Sequence, residues 1–238
     1  MFRREASWLA RRLDAHSAIE LSPVLNIGSS TRGFREKDQP WIQDELIGPL
    51  EARGVKVIHL DFRDGDGIDI RADMLNDADF ERIKALDPKS IFCCNMLEHV
   101  LEPKKLADRC RDLVGPGGLI FVTVPHSYPF HRDPIDTLYR PAPAALAQLF
   151  GGARLLHGEI IDVGVSFRDE AKKRPLILFR QFSRFFIPFL GWAKWKRSMG
   201  KLYWLFHNYE VTGAVFQVPA ETQSASQPIG NQLRTPLY

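Results

Sequence analysis

Short apolar runs and stretches of helical spacing follow one another along most of the chain, between residues 23 and 217. An apolar run bounded by turn residues predicts a buried strand, and apolar positions three or four residues apart predict a helix. Strands are predicted at 24–27, 55–60, 90–94, 119–124, 154–161 and 211–218, with a short one in GIDIRADML, and helices at 38–52, 77–86, 103–114 and 141–150. This alternation is typical of an α/β fold with a parallel sheet.

The first 21 residues carry a separate pattern. Apolar side chains recur at helical spacing at Phe2, Ala6, Leu9 and Leu13. They predict an amphipathic helix that packs on the domain or, alternatively, on a membrane surface. The segment has arginines at both ends and no unbroken apolar stretch, so we do not expect it to be a signal peptide.

Two further segments depart from the α/β pattern. A basic, aromatic insertion precedes the last strand, and a polar, proline-containing tail follows it and is predicted to be disordered. The predicted organisation is therefore an N-terminal helix at 1–21, a core at 22–165, the insertion at 166–208, a final strand at 209–218 and a flexible tail at 219–238.

Charge and cysteine content narrow the class of protein. The net charge of +3 is too small to indicate nucleic-acid binding by itself. Cys93, Cys94 and Cys110 form neither a disulfide framework nor a CxxC metal pair. Buried free cysteines usually behave as small apolar residues. We therefore expect a protein of the reducing cytoplasm.

A candidate ligand-binding turn follows the first predicted strand, in the sequence VLNIGSST. A strand that ends at a glycine lets backbone N–H groups approach a ligand at the carboxyl edge of a parallel sheet. The next strand ends at Asp61, whose carboxylate can accept hydrogen bonds from both hydroxyls of a ribose. Gly28 and Asp61 together indicate a nucleoside cofactor.

Three downstream motifs give this turn a context: GIDIRADML, SIFCCNMLEHV and DLVGPGGLIFVTVP. The series resembles the class I S-adenosylmethionine-dependent methyltransferases, in particular their small-molecule, methyltransferase type 11-like members. The resemblance covers residues 22–165, and the LEHV and GPGG pair is its most specific part. It implies a Rossmann-like sheet of seven strands, parallel but for one, with helices on both faces.

The resemblance also implies a role for individual residues. The turn of Asn26, Gly28, Ser29 and Ser30 would wrap the methionine part of S-adenosylmethionine, and Asp61 would bind its ribose. Asp73 and Met74 would flank the adenine, and Asn95 and Met96 would line the cofactor near its methyl group. Glu98 and His99 would begin the next helix, either in contact with the cofactor or in a purely structural role.

The turn also departs from the family pattern, which leaves alternatives open. Asn26 stands where an acidic residue is usual, and Gly28-Ser29-Ser30-Thr31-Arg32 replaces Gly-x-Gly-x-Gly. A methyltransferase-like binding or scaffold protein without catalysis is therefore the alternative function. A nicotinamide-dependent oxidoreductase would require Gly-x-Gly-x-x-Gly, which is absent, and would leave LEHV and GPGG unexplained.

A dense group of titratable residues follows the fifth strand, in PHSYPFHRDPIDTLYRP. His126 and His131 are the candidate general bases, because imidazole titrates near neutrality. An alternative is that HRDPID only makes turns and salt bridges. No metal is predicted, since His126, His131, Asp133 and Asp136 lack a characteristic ligand spacing. The candidate acceptor-binding residues are Tyr128, Arg132, Asp133, Asp136 and Tyr139.

The segment 173–206 combines aromatic residues with lysine and arginine. One interpretation is a pair of amphipathic helices at an anionic membrane, which would place the protein on the inner face of that membrane. The other is a lid or a homodimer interface, and nucleic-acid binding is the weakest alternative. The expected acceptor is a small or lipid-linked molecule, for which a sugar hydroxyl of a cell-surface glycan precursor is one candidate.

Overall fold

A seven-stranded sheet forms the centre of the computed structural model, which describes residues 1–131, 134–174, 176, 179, 183 and 192–220. In spatial order the strands are β3-β2-β1-β4-β5-β7-β6, and β7 runs antiparallel to both of its neighbours. The predicted Rossmann-like sheet, parallel but for one strand, is confirmed. The strands are β1 (Val24–Ile27), β2 (Val57–Asp61), β3 (Ile70–Arg71), β4 (Ser90–Cys94), β5 (Leu119–Ser127), β6 (Arg154–Asp162) and β7 (Glu210–Gln217).

Helices cover both faces of this sheet, as predicted. In α5, Pro103 stands in the first turn, where its missing N–H is not needed, and Gly115 follows the last residue with a φ of +62°. The α-helices whose bounds fall within the described residues are α1 (Arg3–Leu13), α2 (Ala18–Leu21), α3 (Gly48–Ala52), α4 (Asp77–Lys84), α5 (Pro103–Val114), α6 (Pro143–Leu149), α7 (Phe167–Lys173) and α8 (Trp192–Gly200).

The helix predicted over 38–52 begins three residues late: the helical conformation runs from 41 to 52 and includes a π-helical turn at Gln43–Ile47 before α3. A separate π-helical turn, Phe34–Asp38, ends at a break at Gln39 and Pro40. Pro40 explains the break, because it has no N–H to donate and disfavours a helical conformation at the residue before it. Gln39 has φ −134° and ψ 65°, outside the helical region.

Helix α1 packs on the sheet. Ala6, Leu9 and Leu13 are buried in its contact with the core, so the predicted apolar face covers the domain. Trp8 also lies in this contact, and a Cβ at Gly213 of β7 would lie 2.9 Å from the Trp8 ring. The strand therefore offers the tryptophan a flat surface that another residue would block.

Several predictions fall on residues outside the described ranges. Arg132 and Asp133, most of 175–191 and the tail from 221 onward are among them. Among the helices that the structure describes, none combines the length and apolar character needed to cross a membrane.

Candidate active site

The chain reverses its direction of winding between β1 and β4, which lie side by side in the sheet. Open α/β sheets bind ligands at such a point, outside the carboxyl ends of the strands. Gly28 leaves β1 here with a φ of +67°, and a Cβ on it would lie 2.3 Å from Sδ of Met96, beyond β4. The glycine is required by its conformation and by this close approach.

Asp61, at the end of β2, ties the turn to the neighbouring loop. The N–H of Ser30 donates to Oδ2 at 2.9 Å, and the N–H of Arg63 donates to Oδ1 at 3.0 Å. Ser30 itself has a φ of +56°, in the left-handed region. The structure thus brings Gly28, Ser30 and Asp61 together, and each carboxylate oxygen keeps a further lone pair for another donor.

A buried arginine, which the sequence analysis missed, holds the turn from below. The Arg35 guanidinium donates to the carbonyls of Ser29 at 3.2 Å, Ser30 at 2.5 Å and Gly67 at 2.8 Å. Burial lowers the pKa of Arg35 from its usual value. Because one side chain joins both loops, the turn after β1 and the loop after β2 form one unit.

Asn26 points to a histidine on the next strand. Its Nδ2 lies 3.2 Å from Nδ1 of His59, its register partner on β2. Burial, followed by the charge of Arg35, lowers the pKa of His59 to about 4. At neutral pH, Asn26 therefore donates to an uncharged ring.

Asp73 and Met74 occupy different environments. The Met74 side chain is buried in the core, and the Arg109 guanidinium donates to its carbonyl at 2.6 Å. Asp73 is exposed, and its Oδ1 accepts from the N–H of Leu75 at 2.8 Å. Of this pair, only Asp73 presents its side chain to solvent.

A fully buried glutamate from α1 supports the end of β4. Oε1 of Glu5 accepts from Nδ2 of Asn95 at 2.7 Å and from Oγ1 of Thr123 at 2.6 Å. Its Oε2 accepts from the N–H of Phe2 at 2.9 Å. These bonds orient Asn95, which has a φ of +51°. The sequence showed Glu5 only as an acid in the first turn of a helix.

The loop after β5 is organised around Asp136, whose side chain is fully buried. The Arg140 guanidinium donates to both of its oxygens, at 3.1 and 2.8 Å, and the N–H of His131 donates to Oδ2 at 2.9 Å. These bonds lower the pKa of Asp136 in spite of its burial, which acts in the opposite direction. Asp136 therefore fixes the backbone at His131, as the alternative interpretation of HRDPID proposed.

His131 lies within an aromatic group at this edge of the sheet. Its ring centroid is 5.1 Å from that of His99 and 5.1 Å from that of Tyr128. Burial lowers the pKa of His131 and raises that of Tyr128 to about 12. Tyr139 is half-buried, and burial raises its pKa as well. Both tyrosines are therefore neutral hydroxyl donors at physiological pH.

His126 has a different surrounding from His131. Its Nδ1 lies 3.4 Å from the carbonyl oxygen of Pro141, at the start of the segment leading into α6. The two candidate bases thus contact different parts of the chain. Arg132 and Asp133, two further predicted site residues, stand between His131 and Asp136 in the sequence and are outside the described residues.

Glu98 lies beneath the aromatic group with no exposed side-chain surface. Burial raises the pKa of its carboxyl to about 8, against smaller opposing effects of its own N–H and of Arg140. Its Oε1 is 3.6 Å from Nε2 of His99. Both residues belong to the LEHV motif, for which the sequence left open a cofactor contact or a structural role.

Known proteins support the class that this fold and site define. No protein-family model matches the chain. A Chromobacterium violaceum protein named ubiquinone biosynthesis O-methyltransferase is 29% identical over 147 residues, which are 61% of this chain. The match spans only 56% of that relative's length.

Two solved structures share the fold at low sequence identity. One, from Galdieria sulphuraria, is provisionally assigned as a sarcosine dimethylglycine methyltransferase; it has a TM-score of 0.54 at 13% identity, covering 91% of this chain and 85% of its own. Coclaurine N-methyltransferase, bound to N-methylheliamine and S-adenosylhomocysteine, has a TM-score of 0.50 at 10% identity, covering 89% and 71%. The resemblance to the class I S-adenosylmethionine-dependent methyltransferases is therefore confirmed, and the chain has the fold of that class.

Proposed function

We propose that the protein is an S-adenosylmethionine-dependent methyltransferase that acts on a hydroxyl of a small or lipid-linked molecule. The observation that carries the proposal is the contact of the Gly28 turn with Met96 on one side and Asp61 on the other, at the reversal point of the sheet. The named activity of the Chromobacterium relative favours an oxygen acceptor. A sugar hydroxyl of a cell-surface glycan precursor is one acceptor of this kind.

The residues present fit the cofactor. The positive φ of Gly28 and the absence of a Cβ allow the backbone to approach a ligand closely. The Asp61 carboxylate is anchored by two N–H groups yet can still accept hydroxyl donors. We assign Asn26, Ser29 and Ser30 to the same turn, and the family resemblance implies that Asp73, Met74, Asn95 and Met96 would line the cofactor.

S-adenosylmethionine would supply a methyl group activated by the positive charge on its sulfur. For such a transfer the protein has to align the acceptor and remove one proton from its hydroxyl. The acceptor would lie against Tyr128 and Tyr139, and Arg132, Asp133 and Asp136 remain predicted acceptor residues from the same stretch of sequence. His131 is the first candidate for the base, since its ring lies 5.1 Å from that of Tyr128, and His126 is the second.

A lipid-linked acceptor is supported by the exposed apolar residues of the insertion. Leu176 is 80% exposed, Phe179 75% and Phe206 85%. Such residues beside lysines and arginines are suited to the interface of an anionic membrane. We propose that 173–206 holds the protein on the inner membrane face, and a homodimer through the same surface is the competing outcome.

Calorimetric titration with S-adenosylmethionine and S-adenosylhomocysteine tests the proposal. We expect micromolar binding to the wild type, at least about tenfold weaker binding to Asp61→Ala, and unchanged binding to Asp64→Ala, an exposed acid on the same loop. Circular dichroism of Asp61→Ala separates loss of binding from loss of the fold. Absence of heat from either ligand with the folded wild type would favour the scaffold alternative.

A further inference from the structure

Glu98 is a buried acid that lacks the partners such a group needs. Neither carboxylate oxygen makes a hydrogen bond of normal geometry within the described part of the chain, and the side chain has no exposed surface. Buried charged groups are normally paired, hydrogen-bonded or bound to a metal ion. Glu98 therefore has room at its carboxyl for a proton or a metal ion, and none of the described residues supplies another partner.

The hydrogen bond of His99 determines which of its ring nitrogens faces Glu98. Its Nδ1 lies within hydrogen-bond distance of the carbonyl oxygen of Ile135, which can only accept. Nδ1 therefore donates to this carbonyl, which leaves Nε2 as the ring atom that faces Glu98, 3.6 Å from its Oε1. A proton or a metal ion can occupy the space between these two atoms. A backbone carbonyl on the other ring nitrogen is the usual second contact of a metal-binding histidine.

His131 provides a third donor atom. One ligand atom each from Glu98, His99 and His131 lie within 4.8 Å of one another. Ligands of a transition ion at bond lengths of about 2.0–2.2 Å lie roughly 3–3.5 Å apart, so side-chain movements of about 1 Å would close the site. The bonds of Asp136 to Arg140 and to the N–H of His131 hold this loop in place.

We propose that Glu98, His99 and a ring nitrogen of His131 bind a divalent transition ion such as Zn²⁺. Two imidazoles and one carboxylate favour this class of ion over Mg²⁺ or Ca²⁺, which prefer oxygen ligands. Three protein ligands leave coordination positions free for water or an acceptor oxygen. This set of ligands differs from the one considered in the sequence, which was His126, His131, Asp133 and Asp136. Only His131 belongs to both sets, and Asp136 is instead paired with Arg140.

The protein could bind the ion whether or not it is a methyltransferase. A role of the ion in catalysis, however, rests on the proposed function. A divalent ion lowers the pKa of a coordinated hydroxyl, so the acceptor proton would leave to solvent before the methyl group arrives. His131 would then serve as a ligand, and a water molecule would accept the proton in place of the base role given to His131 above.

Cobalt and zinc titrations of the full chain, stripped of metal with a chelator, test the site. We expect one equivalent of Co²⁺ to give visible ligand-field absorption, and one Zn²⁺ to displace it. Glu98→Gln and His131→Gln should each weaken Zn²⁺ binding at least about tenfold, as loss of a ligand or its support does. His157→Gln, which removes an exposed histidine on β6, should bind as the wild type does.

Thermal unfolding provides the second measurement. Zn²⁺ should raise the melting temperature of the wild type and leave that of folded Glu98→Gln unchanged, since only a native site binds the ion. Absence of stoichiometric binding to the wild type, or equal binding by folded Glu98→Gln, would overturn the inference. Retained binding of S-adenosylmethionine by the stripped protein would show that the proposed function survives that failure.

Discussion

The sulfur of Met96 lies where a side chain on Gly28 would project, 2.3 Å from the position of a Cβ. The first turn of the candidate site and the residue after β4 are therefore packed directly on each other. Met96 is also one of the residues that would line the cofactor near its methyl group. A side chain at position 28 would therefore displace part of that lining. This contact connects the shape of the turn to the position of the reactive end.

Gly28→Ala separates this contact from simple backbone strain. A residue other than glycine in the left-handed region costs about 1–2 kcal/mol, and the collision with Met96 adds to it. Gly54→Ala is the matched control, because Gly54 has a φ of +80° but nothing within 4 Å of its Cβ position. In urea unfolding and cofactor titration, we expect Gly28→Ala to lose more stability than Gly54→Ala and to lose binding. Equal losses of stability would mean that Met96 moves aside freely.

Glu5→Gln tests the support of β4 from α1. A glutamine in place of Glu5 would turn an NH₂ group towards a donor, so one buried hydrogen bond becomes a donor–donor contact. We expect a loss of about 2 kcal/mol in the free energy of unfolding. Glu45→Gln should cost less than about 1 kcal/mol, since Glu45 pairs with the exposed Arg3. Similar urea midpoints for the two variants would refute this role of Glu5.

Arg35→Lys tests whether the buried guanidinium shapes the cofactor turn. A lysine has a single ammonium group and lacks the fork of two separate nitrogens with which Arg35 donates to the carbonyls of both loops. We expect cofactor affinity to fall about tenfold, the effect of roughly 1.4 kcal/mol. Arg32→Lys is the control, because the ion pairs of Arg32 with exposed acids in the described part of the chain are long, at 3.9 and 4.0 Å. Unchanged affinity in a folded Arg35→Lys would show that the turn holds its shape without the fork.

His59 should make stability depend on pH. Its pKa in the folded protein, about 4, lies below its ordinary value of 6.5. The contribution of His59 is therefore complete above pH 6.5 and is lost as the pH falls from 6.5 towards 4, up to about 3 kcal/mol. His59→Asn should flatten the unfolding free energy in that window, whereas the exposed His207→Asn should not. Parallel curves for wild type and His59→Asn would contradict the prediction.

Vesicle sedimentation tests the membrane proposal. We expect the protein to sediment with phosphatidylglycerol vesicles at low salt, and less with phosphatidylcholine vesicles, because the basic segment favours anionic lipid. Replacing Phe179 and Phe206 by serine should weaken sedimentation severalfold. Serine at Ile19 and Leu101, equally exposed elsewhere, should not. Two results together would favour the dimer alternative. The wild type would not sediment with vesicles, and light scattering would show a dimer that the serine replacements of Phe179 and Phe206 break.

The strands were predictable because buried parallel strands are short apolar runs between turn residues. The predicted bounds of β1 and β4 agree with the structure, while the helix predicted to begin at 38 begins at 41, because periodicity outweighed Pro40 in the prediction. The meeting of Gly28 and Asp61 followed from parallel topology, which brings neighbouring carboxyl ends to one edge. Glu5, Arg35 and His59 could not be predicted, since the partners of a buried polar side chain depend on tertiary contacts.

The two side-chain bonds of Glu5 to the sheet span 90 and 118 residues of sequence. A helix that is translated before the residues it binds must therefore wait until β4 and then β5 have been made. During that interval Trp8, Leu9 and Leu13 have no sheet to cover, and exposed apolar surface of this kind promotes aggregation. Glu5 thus gains its partners only after Thr123 has been made, and changes that slow the pairing of β4 with β5 would lower the yield of the protein in the cell before they lowered its activity.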